Sequence, residues 1–245
     1  MQMKAEPKQI QPRLRLVLAI MLVVVTTMPW QARAADAKAT YPSMAPLDQY
    51  LMLDQSAEIA LARSAAPESI ARDAKIVVLG RHGYETAVEG KNGFVCIVER
   101  SWMDPFDDPE FWNPKQRGPL CLNPQAVRSI LPLTFKRTEL VLAGLSKAQI
   151  REGIKAFSAK ELPPLEPGAM SYMLAKQGYL NDDAGHWRPH LMIYTPRTDA
   201  AAWGANLPGS PVMLLPQDPT DPESVFLIPL RTWSDGTAAP PADNE

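Results

Sequence analysis

KIVVLGRHGYETAVEGKNGFVCIVER, Lys75 to Arg100, carries the clearest patterning in the chain. Its first run, Ile76, Val77, Val78 and Leu79, is aliphatic, mostly β-branched and as long as a buried strand, and it stops between Gly80 and Gly83. Tyr84, Thr86 and Val88 then alternate with Glu85, Ala87 and Glu89, so one face of a second strand can be buried while the other carries charge. Gly90-Lys91-Asn92-Gly93 supplies residues that tolerate positive φ in a tight reversal. Beyond it Phe94, Cys96 and Val98 alternate with Val95, Ile97 and Glu99. The stretch predicts three neighbouring strands, the last two forming a hairpin.

Downstream, Pro105, Pro109, Pro114, Gly118 and Pro119 break up Ser101 to Leu120, which is expected to lack regular structure. The chain has two cysteines, and in an exported protein Cys96 and Cys121 are most simply one bond holding this loop to the sheet. Trp102, Phe106, Phe111 and Trp112 are expected to anchor the loop; the other role for such rings is an open aromatic surface for a ligand. The loop's acidic residues, Asp104, Asp107, Asp108 and Glu110, lack the spacing of a calcium-binding loop and read as solvation or turn caps.

After Cys121 the period changes. Asn123 with Pro124 reads as an N-cap with proline in the first turn, of a helix closed by Pro132. Leu140 to Leu145 suggests a second helix, and Ser146 with Gln149 is a capping box opening a third, striped by Ile150, Ile154 and Phe157. Residues 123 to 161 are thus helical. Short apolar runs then follow at Met170 to Ala175, His190 to Thr195, Pro211 to Leu215 and Val225 to Leu230, the prolines placing part of the last two at an edge. Before the central strands, Leu47 to Leu61 favours one amphipathic helix ending by Pro67. The expected fold is α+β: a mainly antiparallel sheet with an N-terminal helix and a helical insertion between two groups of strands, in one sheet or two small ones.

Lys4, Lys8, Arg13 and Arg15 precede an apolar run, Leu16 to Val25, too short to span a bilayer, and Ala32-Arg33-Ala34 follows. Together they describe a secretory signal peptide over residues 1–34, membrane-associated only before cleavage. A linker at 35–46, one domain at 47–234 and a flexible tail at 235–245 complete the expected organisation, in a secreted or periplasmic product. Of 25 basic and 27 acidic residues the leader holds five and one, which leaves 20 against 26, about −6. A mildly acidic product lacks the electrostatic footprint of nucleic-acid binding.

Candidate chemistry centres on three histidines. His186 and His190 share the junction Gly185-His186-Trp187-Arg188-Pro189-His190, where either could serve as the acid or base of a hydrolase beside Asp182, Asp183 or Arg188. Pro189 keeps the pair off a helix, and in an extended strand the two imidazoles stand about 13 Å apart, too far for one metal ion. No nucleophile motif of the G-x-S-x-G or S-x-x-K kind occurs, and no cofactor or metal site is indicated. Arg81-His82-Gly83 after a strand resembles the start of the histidine phosphatase superfamily, which implies a phosphorylated His82 and a phosphate-holding Arg81. That family continues into a loop and helix, whereas here a two-residue period follows, which reads as a polar turn between strands. Trp187, Trp203 and Trp233 fall near turns, where tryptophan can stack on a ligand or fill a core rim. The functional expectation is an exported, non-enzymatic module binding a small molecule or protein partner through its aromatic loops, Trp102, Trp112, Trp187 and Trp203 being its ligand residues.

Overall fold

The computed structural model describes residues 41–216 and 218–240. The expected signal peptide, the first part of the linker and the last five positions of the tail lie outside the described residues.

Eight strands form one sheet among the described residues: β1 (Lys75–Gly80), β2 (Gly83–Val88), β3 (Val95–Glu99), β4 (Gly118–Leu122), β5 (Met170–Met173), β6 (His190–Pro196), β7 (Met213–Leu214) and β8 (Glu223–Pro229). Their order is β2-β1-β3-β4-β5-β6-β8-β7, antiparallel throughout except that β1 and β3 run parallel. The helices are α1 (Gln55–Arg63), α2 (Glu68–Ala71), α3 (Pro124–Ser129), α4 (Leu131–Leu142) and α5 (Lys147–Lys160). The fold is therefore α+β, with an N-terminal helix and a helical insertion between two groups of strands.

The central stretch makes its three strands but pairs them differently. Its hairpin joins β1 to β2 through Arg81 and His82, with Gly80 paired to Gly83 and Gly83 at φ 120°. Gly90 to Gly93, expected as a hairpin turn, instead crosses the start of β1 and delivers β3 to the other side of it. There the Lys91 amide donates to the Asp73 carbonyl at 2.7 Å, and a Cβ on Gly90 would sit 2.2 Å from the Lys75 nitrogen, so only glycine fits. The turn signal was real, but close backbone approach and not strand reversal is what it served.

β4 is a second correction, because it runs through the proline-bearing end of the loop. Cys96 and Cys121 face each other with Cα atoms 4.0 Å apart, the narrow pair of an antiparallel ladder. Val98 and Pro119 repeat that pair type two residues on, so the proline's missing N–H points away from β3. On that side β5 pairs only with Cys121 and Leu122. The two sulfurs stand at bonding distance, 2.06 Å.

Helix boundaries moved for local reasons. Leu47–Gln49 is a single 3-10 turn, and α1 starts only where Asp54 accepts the Ser56 amide at 2.9 Å. Pro132 lies in the first turn of α4 and does not close α3. Asn123 caps α3, and the Ser146–Gln149 capping box opens α5. Small side chains, Ala62, Ala65, Ala66 and Ala71, bring α1 and α2 close onto the sheet face of Ile76, Val78, Cys96 and Val98. The opposite face, with Val77, Val95, Ile97 and Leu120, packs under Ala126, Ile130 and Leu131 of the helical insertion. At the other end of the chain, Thr232 bridges to Ala238, and Asp235 pairs with Lys176 at 2.6 Å.

Candidate functional site

The histidines are dispersed in role. Arg81 and His82 form the exposed turn of the β1–β2 hairpin, and Arg81 pairs with Asp48 with both side chains more than half in solvent. His186 Nδ1 contacts the Gly178 carbonyl oxygen at 2.6 Å, and its ring stands edge-on to Tyr179. His190, on β6, contacts the Arg188 carbonyl oxygen through Nδ1 at 2.6 Å and packs edge-on against Trp187. Burial holds its pKa below the ordinary imidazole value, against the Arg188 contact. Among the described residues neither ring hydrogen-bonds a carboxylate or hydroxyl. Asp182, the expected helper, accepts from Tyr41, Tyr179 and Lys115 instead.

The four tryptophans sit in different surroundings. Trp102 is fully buried and donates Nε1 to Thr138 Oγ1 at 3.1 Å. Trp112 is buried edge-on against Phe111, and Trp187 presses so closely on Gly178 that a Cβ there would lie 2.4 Å from the indole. Trp102 and Trp112 thus anchor the 101–120 loop, and Trp187 packs between Gly178 and His190. Trp203 alone of the four is open, 39 % exposed and stacked on Phe226 at 4.4 Å.

A different set of residues converges over the helix-covered face of the sheet. β3 alternation puts Val95, Ile97 and Glu99 on that face, and Glu99 falls at the strand's end, where Thr134 of α4 lies 3.4 Å from its Oε1. One turn along α4, Arg137 is 6 % exposed, with its guanidinium 4.2 Å above the Phe106 ring. It donates Nη1 to the Met103 carbonyl at 3.4 Å and Nη2 to the Asp104 carbonyl. The half-buried Asp104 carboxylate accepts Gln116 Nε2 at 3.1 Å, and Gln116 is 5 % exposed. The segment entering β8 adds Asp221 and Glu223, both half-buried; Asp218 before them pairs with Arg151 of α5 at 2.9 Å.

Electrostatics set this cluster apart. Burial pushes Glu99 up to about 7, reinforced by Asp104 and opposed by Thr134 and Arg137. Asp104 is likewise pushed up to about 7 by burial, with Asp108 and Glu110 adding repulsion against Gln116 and Arg137. Glu223 reaches about 7 by burial and the neighbouring Asp221, which is itself raised. Arg137 is drawn down to about 10 by burial, although Asp221, Asp104, Asp218 and Glu99 favour its charge. Desolvation thus outweighs attraction on both sides. Three buried polar atoms here, Gln116 Oε1, Arg137 Nε and Arg151 Nε, have no hydrogen-bond partner.

Among the described residues no group of three His, Cys, Asp or Glu is placed to hold a metal ion, and no helix is long and apolar enough to cross a membrane. The observations define an α+β domain with a cluster of half-buried acids around Arg137 on the helical face of its sheet. No known family model matches the chain, and no curated protein or solved structure matches it.

Proposed function

We propose that the protein is an exported binding module, without catalytic chemistry of its own, that takes a small polar ligand at the cluster around Arg137. One observation carries the reading: Gln116 and Arg137, each more than nine-tenths buried, keep a polar atom without a partner beside carboxyl groups that remain within reach of solvent. Leaving such atoms unmatched costs roughly 1–3 kcal/mol each; Ser101 Oγ and Trp187 Nε1 are also left so, and what singles out this pair is the carboxyls beside it. Export is supported by the basic, apolar and Ala32-Arg33-Ala34 succession at the N-terminus and by the facing of Cys96 and Cys121 across β3 and β4. Side-chain NMR of the secreted product tests the reading. Titration with small polar probes of each charge type is expected to shift the Arg137 Nε–Hε and Gln116 amide signals before any others, and N-terminal sequencing is expected to begin at Ala35. Unmoved signals with every probe, or a retained leader, would reject the corresponding half.

A further inference from the structure

A groove of about 460 Å³ opens between the β1–β2 end of the sheet and helices α3 and α4, and none of the acids around Arg137 lines it. Its volume falls within the roughly 300–1,000 Å³ of small-molecule clefts. Strand alternation builds the floor: Lys75 and Val77 share a face of β1, Val77 pairs with Thr86 of β2, and Lys75 pairs with Val95 of β3. The roof is Val127, Leu131 and Phe135, at four-residue intervals across α3 and α4, a span of roughly 12 Å at helical rise. The helices stop short of β2, the edge strand. Thr86 is exposed although its partner Val77 is buried, and Phe135 is 38 % exposed at the groove's rim.

Of the ten residues that line the groove, only Lys75 is charged. Its ammonium pairs with Glu89 Oε2 at 3.0 Å, and 77 % of the Glu89 side chain is in solvent. An ion pair this open is weakly held, and one acceptor leaves two ammonium N–H groups for another.

We propose that this groove binds a free aliphatic monocarboxylate of medium chain length, with its chain over Val77, Val95 and Leu131 and its carboxylate on the Lys75 ammonium, beside Glu89 or in its place. Glu89 already shows a carboxylate seated on that ammonium at the end of an apolar lining. An amine head group would face the Lys75 charge, and an alcohol would gain no ion pair. No residue is shared with the Arg137 cluster, so the two sites stand or fall separately.

The test is calorimetry of the mature, disulfide-bonded chain with butyrate, hexanoate and octanoate, then with octanol and octylammonium, while methyl NMR follows Val77, Val95, Val127 and Leu131. Burial of each added methylene is expected to tighten the carboxylate series roughly fourfold. Octanoate is expected to bind at least roughly tenfold tighter than octanol, and octylammonium more weakly than either. Lys75→Met keeps an apolar stem, so it is expected to erase the preference for octanoate and leave octanol binding intact. Glu89→Gln frees the third N–H and is expected to tighten octanoate by up to about fivefold. Thr86→Trp, an aromatic at an exposed strand position, is expected to fill the groove and abolish binding without loss of folding. Octanol or octylammonium binding as tightly as octanoate at these methyls would overturn the carboxylate. Affinity that ignores chain length, or methyl signals unmoved by every probe, would overturn the groove as a site.

Discussion

Two arginines, Arg100 and Arg137, are both buried beneath helices against the same sheet, and their surroundings differ in kind. Arg100 is completely enclosed and fully matched: Nε donates to the Tyr50 carbonyl at 2.7 Å, Nη1 to the Val98 carbonyl, and Nη2 to Glu58 Oε1 at 2.9 Å. Glu58 in turn accepts the Leu79 amide at 3.1 Å. One ion pair therefore ties α1, β1, the end of β3 and the segment at Tyr50. Arg137 bonds main-chain oxygens, stacks on Phe106, and keeps Nε unpartnered among carboxyls held near neutrality. The first arrangement closes on itself and reads as architecture; the second leaves capacity over and reads as a place for something else to bind.

Mutation should separate the two most sharply. Removing one partner of a closed buried pair strands the other charge, so Glu58→Ala or Arg100→Met is expected to cost about 3–5 kcal/mol in urea unfolding. Replacing both, Glu58→Leu with Arg100→Met, is expected to recover much of that loss, because neither charge is then left buried alone. Arg137→Met loses the guanidinium over Phe106 but strands no paired carboxylate, so its cost should stay near about 1 kcal/mol. Equal costs at the two arginines would break the comparison.

The next effect belongs to the sulfurs on the architectural side. The pair spans a sequence separation of 25. On the chain-entropy estimate, Cys96→Ser with Cys121→Ser is expected to lower stability by roughly 3 kcal/mol, checked by the same unfolding with and without reductant. At Gly90, where the crossover presses on β1, Gly90→Ala is expected to cost about 1–3 kcal/mol through the clash with the Lys75 backbone. A neutral Gly90→Ala would mean that the crossover is looser than its contacts imply.

The architectural side was largely legible in the sequence, and the cluster around Arg137 was not. Strand β1, the capping box at Ser146, the Asn123 cap and the cysteine pairing each follow from a local rule that the tertiary structure obeys. The hairpin was misplaced because Arg81-His82 makes a two-residue turn with no Gly or Asn at its centre, while the Gly-Lys-Asn-Gly signal lies in a crossover. Proline at 119 hid β4, since its tolerance depends on which side of the strand the neighbour occupies. Glu99 did leave a signal, standing on the same face as Val95 and Ile97, where an acid is out of place. Arg137, Gln116 and Glu223 left none, because they meet only when α4, the loop before β4 and the start of β8 are brought together.

The most diagnostic effect is a slope against pH, and its sign follows from protons. In the unfolded chain Glu99, Asp104 and Glu223 ionise near about pH 4, whereas in the fold they keep their protons until about pH 7. Between those limits the folded state binds more protons than the unfolded one, so rising pH favours unfolding. The contribution is complete below about pH 4 and is lost as pH climbs through about 7, with a slope on the order of 1 kcal/mol per pH unit for each carboxyl that titrates fully. Asp54, Glu166, Asp182 and Asp235, whose carboxyls are held below their ordinary values by hydrogen bonds, act in the opposite sense. Their effect is confined to more acidic solution; in the window from about pH 5 to about pH 7 the carboxyls around Arg137 are opposed by His190, whose imidazole is held below its ordinary value by burial. Stability measured across it is expected to fall in the parent chain and to flatten in Glu99→Gln and Asp104→Asn. A parent curve that rises through this window would show that the carboxyls around Arg137 are already ionised, and the contrast between the two arginines would lose its electrostatic half.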